Sequence, residues 1–367
     1  MRRADEVAAL AAPTDCAGCD GWLCYSFSTH LLVSAHNSVQ DRGRYELTSR
    51  DWDGCMTERL KTVGKVGLRK VFELAQRVGL DLLPRHFYSG IPDIHELRSS
   101  ASWRRAYSLV GVAGVDTASQ LAFVNECVSE ELRDGLRRTD FHADACTENG
   151  AIGYGSIEAA FLYCFISTKR PRKVVQVGCG VSTAVIQRAA IDGGFDVELV
   201  CVDPFPTEFL KRSSAAGGLR LIAEPAQTVP LEVLTELGVG DFLFIDSTHT
   251  VKPGSEVNRL VLEVLPRLRE GVFVHFHDIT FPYDYPPTVL TDDLFFWNES
   301  VLVQAFLTGN PRYRVRAALS LLHHASPQEL QGVLPSYVPA GLRDGLVLGK
   351  QGIKGHFPSS LYLEVTS

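Results

Sequence analysis

The sequence predicts an α/β fold: a Rossmann-like sheet of five parallel strands closed by an antiparallel pair, behind a mostly helical N-terminal extension. Three observations carry this. From residue 151 onward, short apolar runs alternate with helical patterns, the signature of βα units feeding a parallel sheet. Two further strand-like runs close the chain, and the first 150 residues show helical periodicity instead. The expected division is an extension or cap over 1–150 and a sheet-bearing domain over 151–367.

In the extension, apolar residues recur at helical spacing over 56–80 and 118–136, with loop-like sequence over 84–93. The parallel strands are expected at 173–177, 197–202, 219–223, 242–246 and 272–277. Between the last two, Val257, Leu260, Val261, Val264, Leu265 and Leu268 form one apolar helical face that can lie on the sheet. A helix at 299–307 and strands at 313–319 and 360–365 follow, with 323–355, rich in proline and glycine, as an insertion in the closing hairpin. There is no repeat period.

At 367 residues and 45% hydrophobic content the chain can bury a large core. Its net charge of −7, with no long basic run, argues against nucleic acid as a partner. No segment approaches the run of about 20 apolar residues that crosses a bilayer, and the start Met1-Arg2-Arg3-Ala4-Asp5-Glu6 lacks a signal core. The expected location is the cytoplasm, away from membranes. Self-association into a homo-oligomer is left open. Nine cysteines fit reduced thiols better than a disulfide framework. Cys16, Cys19 and Cys24, with Cys55 or a histidine, could bind zinc, but the missing second C-x-x-C half favours a loop with free thiols.

The run Val174-Val175-Gln176-Val177-Gly178-Cys179-Gly180-Val181-Ser182-Thr183 reads as a buried strand breaking into a Gly-x-Gly turn and then a helix. Gly178 and Gly180 let backbone approach a ligand closely, and the helix N-terminus offers free N–H groups. Asp203, ending the second strand, can accept both ribose hydroxyls of an adenosine. A nicotinamide fingerprint wants a third small residue where Ser182-Thr183 stands, whereas S-adenosylmethionine (SAM) has no pyrophosphate and tolerates the polar pair. Gln227, after the third strand, should border the adenine. Tyr154 and Gly155, in a glycine-rich loop before a helix, should cover the methionine end.

The fourth strand ends in Asp246 with His249 just beyond, and the fifth ends in His277-Asp278. Ligands of open α/β sheets sit at the carboxyl ends of strands, so these four should converge. Methyl transfer to oxygen needs the hydroxyl deprotonated or polarised by a base, a divalent metal, or both. His275 shares a face with His277 but lies deeper, as a core histidine would.

The strings Ile245-Asp246-Ser247-Thr248-His249, Lys252-Pro253-Gly254-Ser255-Glu256-Val257-Asn258, Leu265-Pro266-Arg267-Leu268, His275-Phe276-His277-Asp278-Ile279 and Pro282-Tyr283-Asp284-Tyr285-Pro286 resemble the methyltransferase 24 family. Phe87-Tyr88-Ser89, Ile91-Pro92-Asp93 and Trp297-Asn298-Glu299 are similar too, so the likeness runs roughly from Pro84 to the C-terminus. It implies a class I methyltransferase sheet, whose closing antiparallel pair separates it from a plain dinucleotide-binding one. It also implies O-methylation of a sugar or polar secondary metabolite, as in macrolide-sugar methyltransferases. Carried over, Asp246 and Asp278 would be metal ligands and His249 the base. His277 departs from that family's acidic pair, which would shift preference from magnesium toward manganese, iron or zinc, or mean that no metal binds. As ligand or catalytic group, His277 joins Asp246, Asp278 and His249 in the expected site. An acceptor lid is expected over 281–297, with Tyr283, Tyr285, Phe295, Phe296 and Trp297 as stacking surface. The alternatives are N-methylation of a small molecule, an NAD-dependent oxidoreductase, and a non-catalytic SAM- or metal-binding accessory protein.

Overall fold

The computed structural model describes residues 54–338 and 358–367. Cys16, Cys19 and Cys24 lie outside the described residues. The chain divides into two compact units, Met1–Pro84 and Arg85–Ser367. The first contains α1 (Gly54–Gln76). The second begins well before residue 151, so most helices of the expected extension belong with the sheet.

These helices are α2 (Ile94–Ser99), α3 (Thr117–Cys127), α4 (Glu130–Arg138), α5 (Phe141–Asn149) and α6 (Ser156–Lys169). Asp93, Asp116, Ser129 and Asp140 start the first four, each side chain accepting a hydrogen bond from a first-turn N–H that would otherwise lack a partner. Ser129 explains why the periodicity over 118–136 is divided between α3 and α4. Phe123, Val124 and Cys127 of α3 are buried in the core under the sheet.

The sheet alternates with helices in the expected order: β1 (Lys173–Val177), α7 (Val181–Gly193), β2 (Glu198–Val202), α8 (Glu208–Ala215), β3 (Arg220–Ile222), α9 (Leu231–Thr235), β4 (Phe242–Ile245), α10 (Glu256–Arg259) and β5 (Phe273–Phe276). Then come α11 (Glu299–Leu307), β6 (Tyr313–Ala318), α12 (Leu319–Ala325), α13 (Pro327–Val333) and β7 (Leu361–Val365). The strand order is β3-β2-β1-β4-β5-β7-β6. β1 to β5 run parallel, and β7 lies antiparallel between β5 and β6. α12 and α13 fall partly or wholly inside the segment expected as an insertion.

Alternation builds two apolar layers. Val174, Phe242 and Phe244 face one, and Val175, Val177, Leu243 and Ile245 face the other. α10 continues through a widened turn at Leu260–Val264 and a tight one at Leu265–Arg267, and its apolar face, Val257 to Leu268, is buried as the periodicity predicts. Among the described residues no helix is long and apolar enough to cross a membrane.

Register decides where the site lies. Val177 pairs with Val202 on one side and Ile245 on the other, and Ile245 pairs with Phe276. Four strands therefore stop in one row. The next residues, Asp203, Gly178, Asp246 and His277, still donate backbone N–H groups to the neighbouring strand at 2.9–3.1 Å, then turn out of the sheet.

Candidate active site at the carboxyl edge of the sheet

Gly178 has a φ of 78°, and a Cβ there would meet the carbonyl oxygen of Asp246 at 1.6 Å. Only glycine fits, because the turn after β1 lies directly against the chain leaving β4. The Asp203 carboxylate accepts the N–H of Cys179 at 2.9 Å and of Phe205 at 2.8 Å, which ties the turn to the end of β2. Asn149 stands against Gly180 and accepts from the Thr207 hydroxyl at 3.0 Å.

Ser182 and Thr183, which as the polar pair opening the helix were expected among the cofactor-binding residues, point away from the open side of the turn. Both are buried, and Gln176 donates to the Ser182 hydroxyl at 2.6 Å while accepting from that of Thr183 at 2.9 Å. The Thr183 oxygen also accepts from Gly180 N–H at 3.0 Å. Their hydroxyls hold the turn from beneath, so a ligand above it meets backbone. Gln227 is exposed beyond β3. Gly155 starts α6. Tyr154, just before it, packs its ring 4.8 Å from that of His277 and reaches His275 Nε2 with its hydroxyl at 3.2 Å.

Beside the turn, Asp246, His249, His277 and Asp278 meet. His249 Nε2 is 3.5 Å from Asp246 Oδ1 and 3.5 Å from Asp278 Oδ2. His277 Nδ1 is 3.3 Å and 3.4 Å from the same two oxygens. Asp246, His249 and His277 together could hold a metal ion. His249 and Asp278 both adopt left-handed backbone, φ 55° and 54°, a conformation costing about 1 kcal/mol or more that surrounding contacts must hold. For His249 those contacts come from α11: its carbonyl accepts the N–H groups of Asn298 and Glu299, and its Nδ1 lies 2.8 Å from Glu299 Oε2. For Asp278, Oδ1 accepts from the Ser359 hydroxyl at 2.9 Å.

Burial opposes charge on Asp246, His249 and His277, and their neighbours reverse it. For Asp246, burial disfavours ionisation, but the charge of His277 and hydrogen bonds from both histidines hold its carboxyl below the usual range. His249 is lowered by burial yet raised more by Asp246, Glu299 and Asp278, ending well above the ordinary imidazole value. His277, also opposed by burial, is pushed up to about 9, chiefly by the charges of Asp278 and Asp246. His275 has no such acids in contact. It stacks on Phe244 at 4.2 Å and bonds Ser360 at 2.9 Å, and burial drives it well below the usual range, as befits a core histidine.

Residues 175–279 match the family model described as a methyltransferase domain. The match spans the Gly178 turn, Asp203, Asp246, His249, His277 and Asp278, so this stretch is similar to a methyltransferase domain. An uncharacterized protein of Archaeoglobus fulgidus is 27% identical over 169 residues, covering 44% of this chain and 76% of that protein. Among solved structures, the SAH-bound methyltransferase PaMTH1 of Podospora anserina is 13% identical with a TM-score of 0.35, covering 78% of this chain and 100% of its own. Cofactor-bound Rv0187 from MTB is 15% identical with a TM-score of 0.39, covering 62% of this chain and 90% of its own.

The site draws on residues that sequence reasoning passed over. Glu299 appeared only in a resembling string and as the start of the helix at 299–307, Ser360 only as the start of the last strand, and Ser359 not at all. No local signal marks them. A glutamate opening an amphipathic helix reads as a solvated first turn, yet Glu299 is wholly buried. Of the expected lid, Tyr285 is core, its hydroxyl accepting Ser300 N–H at 3.2 Å. Trp297, stacked on Phe295 at 5.3 Å and 4.7 Å from the His249 ring, stands at the site.

Proposed function

We propose that the protein transfers the methyl group of SAM to a hydroxyl of a sugar or another polar secondary metabolite. The contact between Gly178 and Asp246 carries this reading: the cofactor turn and the acid–imidazole cluster share one wall, so a methyl group presented over the turn lies beside groups able to take a proton. Asp203 would exchange its backbone partners for the ribose hydroxyls. Gly178 and Gly180 would admit the cofactor's sugar and methionine portions, with Tyr154 and Gly155 at the methionine end and Gln227 beside the adenine.

Without an ion, His249 is the group placed to accept the hydroxyl proton, once its ring, which the surrounding acids hold protonated, has given up its own. Glu299 fixes its Nδ1, which leaves Nε2 facing the cluster, and the carboxylates of Asp246 and Asp278 stabilise the imidazolium that results. The donor set also fits a divalent metal: Asp246 and His277 would hold it, with His249 or Asp278 as a third donor. A bound ion would stabilise negative charge developing on the acceptor oxygen. The small-molecule acceptor would stack against Trp297 and Phe295, whose parallel rings offer a flat face next to His249.

The test is calorimetric titration with S-adenosylhomocysteine (SAH), followed by methyl transfer from SAM to hydroxylated acceptors. Micromolar binding and a methylated oxygen support the reading. Absence of SAH binding with and without divalent metals would overturn it, and methylation at nitrogen would correct the acceptor.

A further inference from the structure

From Ile157 to Ile166 every residue of α6 is buried, and Glu158 is the one acid among them. An apolar side chain would pack there without the cost of taking a carboxylate out of water, so what Glu158 touches has to account for it. Its Oε1 accepts the backbone N–H of Ser359 at 2.8 Å and lies 3.4 Å from the Ser359 hydroxyl. Glu158 also stands in the first turn of α6, where the unpaired N–H groups of the helix favour negative charge.

Ser359 in turn grips the chain leaving β5 at two points. Its carbonyl accepts the N–H of Ile279 at 2.8 Å, and its hydroxyl donates to Asp278 Oδ1 at 2.9 Å. A serine hydroxyl has one proton to give, and the shorter contact takes it, so Glu158 holds Ser359 by the backbone N–H. The other oxygen of Asp278, Oδ2, then stands 3.5 Å from His249 Nε2 and 3.4 Å from His277 Nδ1. Because Asp278 is in left-handed backbone, its carboxylate direction depends on such outside contacts.

We propose that Glu158 is a positioning residue of the cluster: by anchoring Ser359 it fixes the hydroxyl that aims the Asp278 carboxylate at the two imidazoles. The consequence for turnover rests on the functional reading above, in which Asp278 stabilises the imidazolium of His249. Glu158 acts through Ser359 and not on the acceptor itself.

Three variants of the full chain test this. Glu158→Met keeps the bulk and removes the acceptor, Ser359→Ala removes the hydroxyl alone, and Glu158→Gln keeps an acceptor of the same reach. Thermal unfolding confirms that each is folded, and Glu158→Asp, which withdraws the carboxylate by a methylene, takes the place of Glu158→Met if that variant is not. In the metal-stripped protein the imidazole nitrogen resonances of His249 and His277, assigned by their loss in His249→Gln and His277→Gln, should move in Glu158→Met and Ser359→Ala and stay near wild type in Glu158→Gln. Methyl transfer from SAM should fall about 10-fold in each of the first two, with SAH affinity at the wild-type value. The double variant should fall no further, since both changes act through one hydroxyl. Unmoved resonances in either folded variant, additive losses in the double variant, or SAH binding weakened by Glu158→Met and not by Ser359→Ala would each overturn the proposal. Activity is scored separately: moved resonances in a protein whose wild type transfers no methyl group would sink the functional reading and leave the positioning role standing.

Discussion

The two halves of the site are built in different ways. The cofactor half is nearly continuous chain: β1, its glycine turn and the start of α7, with Asp203 brought alongside from the adjacent strand. On the reading proposed above it would work mainly through backbone N–H groups and one carboxylate. The cluster half gathers Asp246 and His249 after β4, His277 and Asp278 after β5, Glu299 from α11 and Ser359 from the approach to β7. The first half depends on conformation, the second on convergence. A change in the first should therefore alter binding and the fold together, while a change in the second should alter chemistry with binding left intact.

Gly178→Ala should erase that distinction, because its Cβ would enter the Asp246 backbone and disturb both halves. We expect loss of SAH binding and a stability loss of about 3 kcal/mol or more, measured by denaturant unfolding. His249→Ala should separate the halves, lowering turnover by about 100-fold or more while SAH affinity stays at the wild-type value. Equal loss of binding and turnover would show the halves to be one unit. Asp203→Ala is the converse. Loss of two charge-assisted hydrogen bonds should weaken SAH by about 100-fold in calorimetry and leave metal binding at the cluster unchanged. Glu299→Gln keeps the shape and removes the charge behind His249, so turnover should fall by about 10-fold with SAH affinity retained.

The smallest effect concerns acid stability and belongs to neither half. Burial lowers His323 and His324 of α12 to about 4. Below the unfolded value of about 6.5 the unfolded chain takes up protons that the folded one refuses, so their contribution to stability is lost as pH falls from there toward 4. A variant with both changed to Gln should lose less Tm between pH 7 and pH 5 than wild type. An equal loss would assign the acid sensitivity elsewhere.

Much of this was legible in the chain. β1 is found at the predicted residues, the other strands within a residue or two, and α11 at its predicted bounds, because apolar runs and helical spacing are local consequences of burial. The Gly-x-Gly turn and Asp203 were readable for the same reason: strand, turn and helix follow one another. The Ser182-Thr183 pair was legible as a polar pair opening the helix, whereas its burial beneath the turn depends on Gln176 of β1.

By itself the sequence determined the alternation of strands and helices, the glycines where a side chain cannot fit, and the acids and histidines that end β4 and β5. Tertiary structure alone decided the register that aligns four strand ends, the burial of Glu299 against His249, the arrival of Ser359 at Asp278, and the distances among Asp246, His249, His277 and Asp278. The physical reason is range. Periodicity and turn chemistry act over a few residues, whereas the separation of two side chains on different strands is fixed by pairing and packing that no neighbouring residue encodes.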